Sequence, residues 1–394
     1  MGNKSIGMSK RPGFLVTILF FVFALVGFYI YLKRQQSPLI QPIHGVPVDA
    51  AVIIEINKPF NFLTSLNNNT QILSDTKELD FASSLFAQLA IADSLVQNTQ
   101  LKAFIENKSV LLSLHDVGNN EINGLLVSKL SGKFEANQLF RFFEETLIGA
   151  ENITSTRYNQ VRINNANVDN TRYYYAFNRG VFLASKSELL LKNAIRQLDA
   201  DAGLHNSEEL SNLIKTAGDN SLANIYLKSP EFKTILNSVF SKDYLKATNI
   251  TSFGSWSLLD MNLKKNVLLF NGFTSGINAE NFQHLLQGQK PTSFKFTKFA
   301  PVGIQSYLAF GISNYHKYKD NLKEFMQENN QLDRHVVNQK SFRDDFGENA
   351  ENRLAEIFNG ELVQMRLLNN ESLFYIKNKV LRTFYEKVLI SLEF

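Results

Sequence analysis

The segment Phe14 to Leu32, FLVTILFFVFALVGFYIYL, constrains this chain more than any other feature. Its nineteen residues are apolar all round except for the weakly polar Thr17, and at about 1.5 Å per residue they span roughly 28 Å, the thickness of a bilayer's hydrocarbon core. Basic residues flank it on both sides: Lys10 and Arg11 before, Lys33 and Arg34 after. A cleaved signal peptide would have a shorter apolar core ending in a small-residue site, whereas this run exits through Tyr29, Ile30, Tyr31 and Leu32, as an interfacial anchor does. The sequence predicts one transmembrane helix here. Lys4, Lys10, Arg11 and the amino terminus outweigh Lys33 and Arg34, which predicts a cytoplasmic amino terminus and an extracytoplasmic main domain.

The anchor also accounts for the chain's charge. The net charge is +4, but residues 1–34 hold five of the 41 basic residues and no acid, which leaves 36 basic against 37 acidic residues in the rest. A nearly neutral domain without a basic stripe lacks the phosphate-binding term that a nucleic-acid partner requires. Cysteine is absent, which excludes disulfides, thiolate metal sites and cysteine nucleophiles. No cofactor is implied by any motif.

Beyond the anchor the chain divides by composition and periodicity. Residues 1–13 form a cytoplasmic tail, 14–32 the transmembrane helix, and 33–47 a spacer stiffened by Pro38, Pro42 and Pro47. The β-branched run Val48 to Ile56 predicts a mostly buried strand. Phe81, Leu85, Leu89, Ala92 and Val96 predict a helix over 78–97, and strands follow near Val110–Leu114 and Leu125–Leu130. Leu139, Phe142, Phe143 and Leu147 mark the next helix. Three β-rich stretches near 152–158, 160–166 and 171–185 lead to a helix with a capping box at Ser185 to Glu188 and a core face of Leu191, Ala194, Ile195 and Leu198.

The order strand, helix, paired strands, helix recurs. Asn123-Gly124-Leu125-Leu126 corresponds to Asn266-Val267-Leu268-Leu269, Pro47-Val48 to Pro301-Val302, and Phe142 to Ile148 to Phe384 to Ile390. This predicts a first α+β unit with a β-rich extension (48–220), a second unit (221–300) and a third (301–394) that lacks the extension, as a truncated form of a longer protein would. The expected class is α+β: an N-terminal transmembrane helix followed by antiparallel sheets with helices on one face, in repeated strand-helix-hairpin-helix modules.

No motif specifies a reaction: phosphate-cradling loops, nucleophile elbows and zinc-binding helices are all missing. The six histidines, His44, His115, His205, His284, His316 and His335, stand singly. Asp199-Ala200-Asp201-Ala202-Gly203 opens like a calcium loop, but Leu204 and Leu210 occupy the positions that need glycine and a bidentate acid, so a helix-ending turn fits better. Asp333-Arg334-His335 with Asp344, Asp345 and Glu348 is the densest polar stretch; it reads as a solvated connector, with a hydrolase as the sharper alternative. Tyr173, Tyr175 and Phe177 alternate on one strand face near Arg157, Arg162 and Arg172, which suits cross-strand packing better than stacking on sugars. These weighings leave no residue committed to catalysis, to a cofactor or to a metal.

With its anchor, its proline spacer and the strand opening Val46-Pro47-Val48-Asp49-Ala50-Ala51-Val52-Ile53-Ile54-Glu55, the chain resembles a Bacteroidetes-type bacterial family of single-span, membrane-anchored envelope proteins built on a domain of unknown function. That resemblance implies an inner-membrane protein with a periplasmic domain. The functional expectation is a non-enzymatic scaffold whose partners are the lipid bilayer, through Phe14 to Leu32, and another envelope protein. A small-ligand or lipid-binding module with a Phe-lined groove is the alternative.

Overall fold

The computed structural model describes residues 40–67, 108–118, 121–130, 132–142, 144–145, 153–168, 171–239, 254–264, 267–369 and 371–378. The expected transmembrane helix, the helix expected over 78–97 and the segment Phe384 to Ile390 lie outside these residues. Among the described residues no helix is long and apolar enough to cross a membrane.

The described chain is α+β and is built on a large antiparallel sheet. Its strands are β1 (Val52–Ile56), β2 (Val110–Asp116), β3 (Ile122–Lys129), β4 (Ile153–Tyr158), β5 (Val161–Val168), β6 (Thr171–Asn178), β7 (Val181–Ser185), β8 (Ala223–Lys228), β9 (Trp256–Lys264) and β10 (Val267–Ser275). They lie in the order β10-β9-β8-β1-β2-β3-β7-β6-β5-β4. The boundary expected at 220/221 thus falls within one sheet, because β8 pairs antiparallel with β1, Ile53 opposite Tyr226. A second sheet of three strands joins β11 (Ile304–Ile312), β12 (Phe358–Leu367) and β13 (Ser372–Asn378).

Helices cover both faces of the large sheet, not one as the sequence suggested. On the face that carries Ile53, Leu125, Leu183, Tyr226 and Leu258 lie α3 (Glu188–Ala200) and α4 (Glu208–Ile214), which bury Leu190, Leu191, Ala194, Ile195, Leu198, Leu210 and Leu213. The opposite face packs Ile54, Ile225 and Met261 against α1 (Pro59–Asn67) and α5 (Ser229–Val239), and Tyr175 and Phe182 against α2 (Lys133–Phe142). The cause is visible in runs such as Val52-Ile53-Ile54 and Leu125-Leu126-Val127, which present apolar side chains to both sides rather than alternating apolar with polar.

Two further expectations shift. The spacer's end is part of the fold: Pro42–Gly45 forms a 3-10 turn, and Ile40 and Val46 sit in the core. Gly45 packs closely there: a Cβ would sit 3.0 Å from the Val127 side chain, which would have to shift to admit it. The N-cap of α3 is Ser187, whose hydroxyl accepts from the Leu190 N–H, while Ser185 Oγ accepts from the Ser187 N–H and donates to the Gly124 carbonyl. The cap therefore sits two residues beyond the box expected at Ser185.

Among the described residues, β1, α1, β2 and β3 follow one another as strand, helix and antiparallel pair, as do β8, α5, β9 and β10, whereas β11 is followed by three helices, α6 (Tyr315–Glu328), α7 (Leu332–Phe346) and α8 (Ala350–Ile357), before β12 and β13. In each the first strand pairs with the second and the second with the third.

Candidate functional site

Four histidines that stand alone in sequence, His44, His115, His205 and His284, gain partners in the fold. His115, on β2, is fully buried. Its Nδ1 lies 3.0 Å from Asp49 Oδ1 and its Nε2 lies 2.8 Å from Ser113 Oγ. The order carboxylate, imidazole, hydroxyl is that of a hydrolytic triad. The surroundings are not. Ser113 is also fully buried, two residues away on the same strand, and its hydroxyl lies 3.4 Å from the Leu125 carbonyl, so no substrate carbonyl can reach it. The arrangement works instead as a clasp. It ties the segment that enters β1 to the centre of the sheet, and the hydrogen bond from His115 holds the Asp49 carboxyl below the usual carboxylate range.

A second contact fastens the same entry. The rings of His44 and His205 stack at 3.9 Å, and Asp201 Oδ1 lies 3.3 Å from His205 Nε2. Burial, then the neighbouring His44, lowers the His205 pKa. Asp201 ends α3 in the left-handed conformation, at φ 52°, and Asp199 accepts a hydrogen bond from Asn178, so the calcium-like run is a helix-ending turn. His284 joins a 3-10 turn, Phe282–Leu286, to α6 through Glu324 at 2.8 Å, and Asn321 donates to its carbonyl.

At the other end of the same sheet face, Glu55, Asn224 and Asp260 lie side by side on β1, β8 and β9. The Tyr226 hydroxyl donates to Glu55 at 3.0 Å. Burial raises the Glu55 pKa, which marks a group worth testing as an acid. Ser221, hydrogen-bonded to Asn224, also lines an open cavity of about 270 Å³ together with Lys58, Asn61, Asp219 and Asn262. No phenylalanine lines it; apart from Leu222 and Leu263 its walls are polar.

The other candidates disperse. Asp333 and His335 open α7 and Asp344 and Asp345 close it, so that about 17 Å of helix separates the two ends. The stretch is a helix rather than the connector expected, and its acids do not converge on His335. Among the described residues no group of three or more His, Asp or Glu could hold a metal ion. Tyr175 is buried edge-on against Phe140 of α2, with ring centroids 5.3 Å apart, and burial pushes its phenol up to about 12. Arg162 donates to Ser155. The aromatic face is core.

What remains is the edge of the sheet, where among the described residues no strand pairs with β10 other than β9. β10 reads Val267-Leu268-Leu269-Phe270-Asn271-Gly272-Phe273-Thr274-Ser275, and Val267, Leu268, Leu269, Phe270 and Phe273 are 49%, 39%, 37%, 46% and 59% exposed. Its register with β9 places Leu269, Asn271 and Phe273 on one face and Leu268 and Phe270 on the other. The ladder runs the full strand, while β8 supports β9 only from Trp256 to Met261, so the Val267 end projects as a two-stranded ribbon. Natural edge strands are blunted by charge, proline or bulges. At the opposite edge β4, ITSTRY, carries the charged Arg157, whereas β10 carries neither a charge nor a proline. Gly272 is fixed by close approach, because a Cβ there would meet the Leu258 carbonyl oxygen at 1.8 Å.

No family model matches this chain, and no curated protein matches it. Among solved structures, crystal form I of TP0453 is similar over 59% of this chain and 78% of that one, at 10% identity and a TM-score of 0.34, a likeness too slight to carry an argument about fold or function.

Proposed function

We propose that the chain is a membrane-anchored interaction module of the bacterial envelope, held by Phe14 to Leu32 with its folded part outside the cytoplasm, and that it works by docking protein at the β10 edge. The observation that carries this reading is the uncharged, apolar, doubly exposed β10 strand. An edge of that kind exposes unpaired backbone groups as well as apolar side chains and favours β-strand addition. The recurring strand-helix-hairpin order supports a repeated module whose edges join strand to strand, as β1 and β8 do within the sheet. The mostly polar lining of the cavity at Ser221 and the separation of the acids along α7 favour docking over the lipid-binding and hydrolase alternatives.

Two experiments test the two halves. A photo-reactive amino acid placed at Phe270 of the full chain should yield a protein adduct in living cells. The same group at Phe134, an exposed position on α2, should not. Equal yields at both sites, or none at Phe270, would remove the docking surface. For the anchor, a carboxy-terminal reporter active only outside the cytoplasm should be active and should resist alkaline extraction from membranes.

A further inference from the structure

Resting on that reading, we infer that the occupant of the β10 edge is the β10 edge of a second copy of this chain, paired antiparallel about a two-fold axis through Phe270. Strand addition here demands a partner that is apolar on both faces and uncharged, and β10 meets its own demand. Centring the pair on Phe270 sets Leu268 opposite Gly272 of the mate and Phe270 opposite Phe270 on one face. On the other it sets Val267 opposite Phe273 and Leu269 opposite Asn271. The leucine thus meets the one position with no side chain, and an aromatic pair forms at the axis, where a charged residue would have faced its own copy. Pairing also joins the two sheets edge to edge, the way β8 already joins β1.

The area sets the strength. The five exposed side chains offer roughly 400 Å² of apolar surface per copy. A standard interface uses about 800 Å² per partner. A dimer built on the strand alone is therefore weak in dilute solution and is favoured when both copies are confined to one membrane, where effective concentration is high.

The absence of cysteine makes the test clean. Full-length Phe270→Cys in membranes, treated with a mild oxidant, should form a disulfide-linked species of twice the chain's mass. Leu268→Cys and Leu269→Cys should not, while differently tagged Leu269→Cys and Asn271→Cys copies, mixed by co-expression, should cross-link to each other. Fluorescence of Trp256, the single tryptophan, reports that each variant is folded. An adduct of another mass at position 270 would overturn self-pairing and leave the docking surface standing. A cysteine at 270 that reacts freely with maleimide and forms no adduct would overturn both. A protected thiol in a chain that stays monomeric would also overturn both, because the chain itself would then cover the strand.

Discussion

Replacing His115 by Ala tests whether the buried imidazole fastens the entry segment to the sheet. His115 is fully buried and bridges Asp49 at 3.0 Å and Ser113 at 2.8 Å. Truncating a large buried side chain costs about 2–5 kcal/mol, and each hydrogen bond contributes about 1 kcal/mol net, so the loss should be about 3–4 kcal/mol. For a folded region of this size that lowers Tm by about 6–8 °C. Asp49→Asn keeps an acceptor and removes only the charge from a half-exposed side chain, so it should cost no more than about 1 kcal/mol. The pH dependence follows from the lowered Asp49 pKa. The stabilisation is present above the carboxyl's unfolded value and is lost as pH falls through its folded value, so the gap between wild type and Asp49→Asn should close in acid. The assay is thermal unfolding followed by Trp256, which is buried at the start of β9. In the His115→Ala background Asp49→Asn should cost almost nothing. A His115→Ala loss below about 1 kcal/mol, or an unchanged Asp49→Asn effect in that background, would refute the clasp.

Two other perturbations have signs fixed by the structure. Ser187→Ala removes the α3 cap and should cost about 1 kcal/mol in denaturant unfolding, whereas Ser187→Gly should cost only a few tenths. Glu55→Gln mimics the protonated acid. Because burial raises the Glu55 pKa, its contribution is fully present below the unfolded value and is lost as pH rises, so Glu55→Gln should melt above wild type at pH 7.5 and level with it at pH 4.

The sequence carried the strands and helices well where periodicity was strong. The apolar stripe of α3 and the paired strands β2 and β3 lie where Leu191 to Leu198 and Val110 to Leu130 place them. It concealed the two-sided covering of the sheet, because a short apolar run such as Val52-Ile53-Ile54 does not say how many layers it serves. The α7 helix was hidden for the opposite reason: among its described residues none is buried, so no apolar stripe announces it. Asp49 and Ser113 lie 64 positions apart and meet only through the fold; the sole local hint is that Ser113 and His115 alternate with leucines on one strand. The β10 edge was unreadable in principle. VLLF looks like an interior strand, and whether another strand lies beside it is decided by topology, not by its own residues.

The most direct measurement of the central claim is amide hydrogen exchange along Val267–Ser275, made on the full chain in membranes and again after dilution in detergent. An edge occupied by a partner strand should exchange its outward-facing amides slowly in the membrane and rapidly once dilution separates the copies, while β8 and β1, paired within the chain, stay protected in both. Equally fast exchange of β10 in both conditions would contradict the account.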